Sequence, residues 1–263
     1  MLRIGGLCGA TVQAVAEGQL LRDLSYPAGL LNLAALRGIP ENEVLDHCRE
    51  VAKIIPLFRF YLQSTIGGLE LPYSFWRRFV EIPEVLAIKI ATFDRYHTLD
   101  VLRAVAESGR RDIALYTGND DNIVMDLITP HCFEVNGKKV ELRIVGGLLG
   151  HWAVWTRRAV EILEECHRLM EGPRTIPVTT LALAVEVTDS NAAFFDAANR
   201  FRGCVPGLHE VLRRQGLLEG IWCLDPNETL GRGQKQEIDR VYKVYPHLND
   251  DSFVNLHRDN WLT

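Results

Sequence analysis

The sequence predicts an α/β protein of the (β/α)₈ TIM barrel type, and three observations carry that prediction. Short apolar segments alternate with helical segments six times over roughly the first 170 residues. The connections between them are short and often carry glycine, the pattern of parallel βα units. No GxGxxG follows any apolar segment, which argues against a nicotinamide dinucleotide fold and leaves the barrel as the better description.

Taken in order, residues 2–7 read as a strand, with Cys8-Gly9 as its turn and Thr11 as the N-cap of a helix through Leu24. Residues 28–35 form the second strand, and Pro40 opens a helix that presents Val44, Leu45, Cys48, Val51 and Ala52 on one face. A third strand spans 57–63 and ends in the Gly67-Gly68 turn, followed by a helix over 73–80. The fourth strand covers 85–91, with a helix over 98–108; the fifth covers 112–117, with a short helix through Leu127. The sixth is expected at 140–145, before a long helix over 151–170. From Gly172-Pro173 onward the alternation stops, and helices are expected over 177–201, 207–218 and 234–245. The chain therefore divides into a barrel portion, 1–171, and a helical C-terminal extension, 172–263. Arg213 and Arg214 in that extension read as a solvated face.

Composition narrows the function classes. Lys+Arg 29 against Asp+Glu 34 gives a net charge of -5, with no block of like charge, so neither a nucleic-acid footprint nor a polybasic membrane patch is expected. No apolar run is long enough to span a bilayer, and the first residues lack a signal-peptide core. The six cysteines are scattered without metal-ligand spacing, as expected for reduced thiols in a cytoplasmic protein. Neither a metal nor a cofactor is expected.

The stretch that organises the rest is residues 84–93, EVLAIKIATF. Strand alternation would put Leu86, Ile88 and Ile90 on a helix-packed side, with Ala87, Lys89 and Ala91 on the other. A lysine flanked by two methyl groups in an apolar strand is expensive as an ammonium, and burial favours its neutral, nucleophilic form. A neutral amine can condense with a ketone or aldehyde to a Schiff base. The competing reading is a lysine that snorkels its charge to water.

Barrel active sites lie at the C-terminal strand ends, so the other ends matter too. The third reads Phe60-Tyr61-Leu62-Gln63, then Ser64-Thr65-Ile66-Gly67-Gly68. Thr92 lies just beyond the lysine strand. The fifth runs Tyr116-Thr117-Gly118-Asn119-Asp120-Asp121, and the sixth Val145-Gly146-Gly147-Leu148. Glycines there let a substrate approach the backbone, and adjacent amides can hold a carboxylate. Asp120 and Asp121 read equally well as a turn and helix cap.

This order of a tyrosine-bearing strand, a Gly-Gly turn, an Ile-Lys strand and a Tyr-Thr-Gly-Asn-Asp-Asp run resembles the dihydrodipicolinate synthase / N-acetylneuraminate lyase family. The resemblance covers roughly residues 1–170. It implies a class I aldolase barrel with a C-terminal helical extension, working as a homo-oligomer on a small carbonyl substrate such as a 2-oxo acid, without a cofactor. It implies Lys89 as the Schiff-base lysine and Tyr61 as the proton-relay tyrosine. Gly67, Gly68, Thr92, Gly118, Asn119, Asp120, Gly146 and Gly147 are then the substrate-binding candidates.

The departures from the family pattern are specific. Ile66 stands where the family's bacterial synthases carry an arginine that clamps the substrate carboxylate. Ala34-Ala35-Leu36-Arg37 offers no tyrosine where the family donates one across a subunit interface. The match places residues 2–7 on the family's third strand, so the first two βα units are expected to be missing. Two other readings stand beside the aldolase: a non-catalytic barrel that binds a ligand or subunit after losing the relay, and a metal-dependent enzyme using Asp120, Asp121 and His151.

Overall fold

The computed structural model describes residues 2–64, 67–173 and 175–262. Two compact units emerge, Met1–Asn119 with Thr129–Gly147, and Asp120–Ile128 with Leu148–Thr263.

The first unit is built on a parallel six-stranded sheet in the order β1-β2-β3-β4-β5-β8. Its strands are β1 (Ile4–Leu7), β2 (Ala28–Leu31), β3 (Leu57–Leu62), β4 (Val85–Ala91), β5 (Ala114–Thr117) and β8 (Gly146–Gly147). From β1 to β5 neighbouring strands are sequential in the chain, joined by helices α1 (Thr11–Asp23), α2 (Glu41–Ala52), α3 (Tyr73–Phe79) and α4 (Arg95–Ser108). This is the βα order of a barrel sheet. The lysine strand has the bounds read from the sequence.

Local chemistry sets the element ends. Asp94 caps α4, its carboxylate accepting from the Tyr96 and His97 amides, and Gly109 closes the helix at φ 79°. Thr11 does not cap α1, because its hydroxyl is bonded to Nδ1 of the buried His47 at 2.9 Å; Ala10 takes the cap position instead. The second strand stops at Leu31, four residues earlier than expected. Asn32 Oδ1 accepts from the Ala34 amide, which turns Ala34–Leu36 into a 3-10 turn.

Two corrections concern strands. Residues 140–145 do not supply the sixth strand of the sheet. β6 (His131–Val135) and β7 (Lys138–Leu142) form an antiparallel hairpin, turned by Asn136 and Gly137 at φ 51° and 73°. Asn-Gly with both φ positive is the strongest short hairpin signal, and it outweighed the apolar run. The place beside β5 falls to Gly146–Gly147. The other correction is Leu86, expected to pack against helices but 43% exposed. The β3–β4 register runs Leu57↔Val85 and then Phe58↔Ala87, so Leu86 is the extra residue of a β-bulge.

The second unit is helical: α5 (Ile123–Ile128), α6 (Thr156–Glu171), α7 (Val178–Phe194), α8 (Cys204–Arg214), α9 (Gln234–Val244) and α10 (Asp251–Trp261). α6 buries Ala159, Ile162, Cys166 and Met170 along one stripe. Sequence reading missed α10, whose single buried apolar residue is Val254. Arg213 and Arg214 are not simply solvated, since both pair with the buried carboxylate of Glu210, and Arg214 also reaches Asp239. No helix among the described residues is long and apolar enough to cross a membrane.

Candidate active site

The site is best built outward from β4. Lys89 is half-buried, whereas Lys53, Lys138, Lys139, Lys235 and Lys243 are all exposed. Its register partners are Phe60 on β3 and Tyr116 on β5. Paired residues of neighbouring strands point to the same side of a sheet, so Phe60, Lys89 and Tyr116 share a face with Phe58 and Ala87. Lys89 Nζ lies over the Phe60 ring, 4.0 Å from its centroid, and Phe58 meets Tyr116 edge to face at 5.2 Å. The amine therefore projects from a face that is largely aromatic.

Gly118 makes room for the lysine stem. A Cβ there would lie 3.0 Å from Lys89 Cε and 2.6 Å from Ala91 Cβ. Gly146 does the same for Tyr116, since its Cβ would fall 2.7 Å from the ring carbon Cε1. Both glycines thus shape the lysine face, but neither is shown offering an amide to a ligand. The Gly118 N–H donates to Ile90 O at 2.6 Å.

Tyr61 is not brought to Lys89. A straight count from Leu57↔Val85 would set Tyr61 opposite Lys89; the bulge at Leu86 slips the register by one, so Tyr61 faces Ile90. A one-residue slip turns every later side chain to the other side. Tyr61 is 2% exposed, packs against Trp76 of α3 at 4.7 Å, and shares its hydroxyl with the backbone of Leu71. That hydroxyl donates to Leu71 O at 3.4 Å and accepts from Leu71 N at 3.3 Å. Burial pushes the phenol up, with the Leu71 hydrogen bond opposing. Its neighbour Arg59 shares that helix-facing side, fully buried and donating to Leu31 O at 3.0 Å, with burial holding the guanidinium down to about 10. A cleft of about 220 Å³ opens beside Tyr61, lined also by Glu70, Thr92, Phe93 and His97.

The remaining candidates divide the same way. Thr92 Oγ1 donates to Asp94 O at 2.8 Å and meets Thr98 Oγ1 at 3.1 Å, so its hydroxyl belongs to the start of α4. Asn119 is buried and accepts from the Phe93 amide at 2.9 Å. The amides of Gly67 and Gly68 close the turn after β3 onto Ser64 O and Gln63 O, and a Cβ on Gly68 would meet Leu62 O at 1.8 Å. These amides are spent on the turn rather than poised for a carboxylate. Ile66, and Thr65 before it, lie outside the described residues. Gly147 pairs with Thr117 at the sheet edge.

Asp120 belongs to the second unit, where a Cβ on Gly150 would lie 3.0 Å from its Oδ1. His151, in the same unit, is fully buried against Trp155 and Phe194, and burial holds its imidazole down to about 4. Among the described residues no three His, Cys, Asp or Glu side chains are grouped to hold a metal ion, so the reading that used Asp120, Asp121 and His151 finds no donor set.

Sequence reading missed Phe60 and Tyr116 as the immediate surroundings of Lys89. Both stood in the strand ends already singled out, but choosing between Phe60 and Tyr61 required the register.

Comparison with solved structures then places the fold. Dihydrodipicolinate synthase from Bacteroides thetaiotaomicron superposes with a TM-score of 0.70 at 14% identity, covering 93% of this chain and 75% of that one. The enzyme from Acinetobacter baumannii, solved in complex with pyruvate, gives 0.70 at 18% identity, with 92% and 74% covered. N-acetylneuraminate lyase from Fusobacterium nucleatum gives 0.66 at 15%, with 93% and 75% covered. The chain has the fold of the dihydrodipicolinate synthase / N-acetylneuraminate lyase barrels. The resemblance read from the strand ends and the likeness in three dimensions concern the same barrels, and at 14%, 18% and 15% identity the likeness is one of fold. No family model and no curated protein sequence matches the chain.

Proposed function

We propose that the protein is a Schiff-base-forming lyase or aldolase of this barrel fold, acting on a 2-oxo acid or related carbonyl compound through Lys89. The observation that carries the reading is the lysine itself. It is the lysine that is not exposed, it stands on a strand of an aldolase-type sheet, and a glycine leaves space for its stem. Only the unprotonated amine is a nucleophile. The neutral amine then adds to the carbonyl carbon, and loss of water leaves an iminium that can draw electrons from the adjacent carbon.

Pyruvate, the molecule in the Acinetobacter baumannii complex, is the first substrate to test, followed by other 2-oxo acids and simple aldehydes. Purified protein is incubated with each and reduced with borohydride, and the intact mass is read. A covalent adduct that disappears in Lys89→Ala supports the reading. Wild-type protein that stays unmodified across the panel refutes it. Thermal stabilisation by one of these compounds that persists in Lys89→Ala would favour a binding protein instead.

A further inference from the structure

If Lys89 forms an imine, a proton must reach the departing hydroxyl, and Tyr61 cannot supply it from the far side of the sheet. We infer that Tyr116 is the general acid and base of the Lys89 site, for substrates with a hydrogen on the carbon next to the carbonyl. The inference rests on the Schiff-base reading above and adds the identity of the proton carrier.

Four observations converge on Tyr116. It is the register partner of Lys89 on the adjacent strand, so both side chains leave the sheet on one face. It is half-buried, and its hydroxyl makes no hydrogen bond to any described residue. Its ring is held edge-on by Phe58 at 5.2 Å. Gly146, on the strand beyond, leaves the space the ring fills, since a Cβ there would approach it to 2.7 Å. Phe58, Phe60 and Leu62 are the β3 residues on this face, and none of them can carry a proton. Tyr61 already has both hydroxyl functions engaged by Leu71.

The chemistry balances as follows. Neutral Lys89 adds to the carbonyl, and an N–H proton moves to the oxygen to give a carbinolamine. Tyr116 donates its proton as the C–O bond breaks, releasing water and leaving a protonated imine and a phenolate. The phenolate then takes a proton from the neighbouring carbon, giving the enamine and regenerating the phenol. No oxidant, reductant or metal enters.

The test follows exchange of the pyruvate methyl protons into deuterated water by NMR, alongside borohydride trapping. Wild type, Tyr116→Phe and Tyr61→Phe are compared, with thermal melting as a check on folding. Tyr116→Phe is expected to melt like wild type, to retain a trappable adduct at long times, and to lose exchange by about 100-fold or more. It should also lose the limb of the pH–rate profile that the phenol contributes, which a purely structural role would not remove. Tyr61→Phe should exchange within a few-fold of wild type. Exchange undiminished in Tyr116→Phe, or lost in Tyr61→Phe with the fold intact, overturns the assignment. If wild type itself forms no adduct, the Schiff-base reading fails and this inference falls with it. An adduct with unchanged exchange in Tyr116→Phe overturns the inference alone.

Discussion

The two faces of the β3–β4–β5 sheet carry tyrosines with opposite commitments. On the helix-facing side, the Tyr61 hydroxyl is held by Leu71, Arg59 is sealed against Leu31, and Thr92 beyond the strand end is tied into the start of α4. On the other side, Lys89 lies over Phe60, and Tyr116 keeps its hydroxyl out of any hydrogen bond among the described residues. Polar groups bound into the scaffold stabilise it, while the Tyr116 hydroxyl is not tied up in this way. One residue separates the two fates. Without the Leu86 bulge, the register from Leu57 onward would have put Tyr61 beside the lysine.

The sharpest way to break the comparison is on the lysine face. Gly118→Ala would push a methyl to within 3.0 Å of Lys89 Cε. Displacing the amine by even about 1 Å is expected to slow borohydride trapping roughly 100-fold. An unchanged trapping rate would show that the lysine does not need this space.

Next in size is a pH effect in the second unit. His151 binds a proton near 6.5 when unfolded but only at about 4 when buried, so the folded state excludes that proton. Its contribution to stability is complete above pH 6.5 and is lost as the pH falls from there towards 4. The loss is on the order of 3 kcal/mol in all. Urea unfolding at pH 7 and pH 5 should show about 2 kcal/mol of it, and His151→Phe should flatten the slope.

On the helix-facing side, Tyr61→Phe leaves the Leu71 N–H and C=O without their partner. It should cost about 1–3 kcal/mol in urea unfolding while trapping at Lys89 proceeds as before. A fall in trapping without a fall in stability would return Tyr61 to the reaction. The smallest effect is expected at the bulge residue. Leu86 is exposed and unpaired, so Leu86→Ser should change stability by less than about 0.5 kcal/mol.

Much of this was legible in the sequence. The β4 apolar run gave its own ends, the strand–helix alternation gave the sheet order, and the isolated lysine marked the strand that matters. What could not be read was the pairing between strands. A bulge leaves no local signature in EVLAIKIA, because Leu86 suits a buried strand as well as an exposed bulge, and the choice between Phe60 and Tyr61 follows from it. The hairpin was legible but overlooked: Asn136-Gly137 names its turn more strongly than the apolar residues 140–145 name a parallel strand. Five of the eight substrate-binding candidates, Gly67, Gly68, Gly118, Gly146 and Gly147, are glycines read as openings to a ligand. The structure gives several of them other work: Gly68 packs against Leu62 O, Gly118 clears the lysine stem, and Gly146 clears the Tyr116 ring.

The central claim is that Lys89 is the reactive amine, and the most direct measurement is peptide mapping of wild-type protein after borohydride reduction in the presence of pyruvate. One modified peptide is expected, the one containing Lys89, with the exposed lysines Lys53, Lys138, Lys139, Lys235 and Lys243 unmodified at the same pyruvate concentration. Label spread over the exposed lysines, or no label at all, would contradict it.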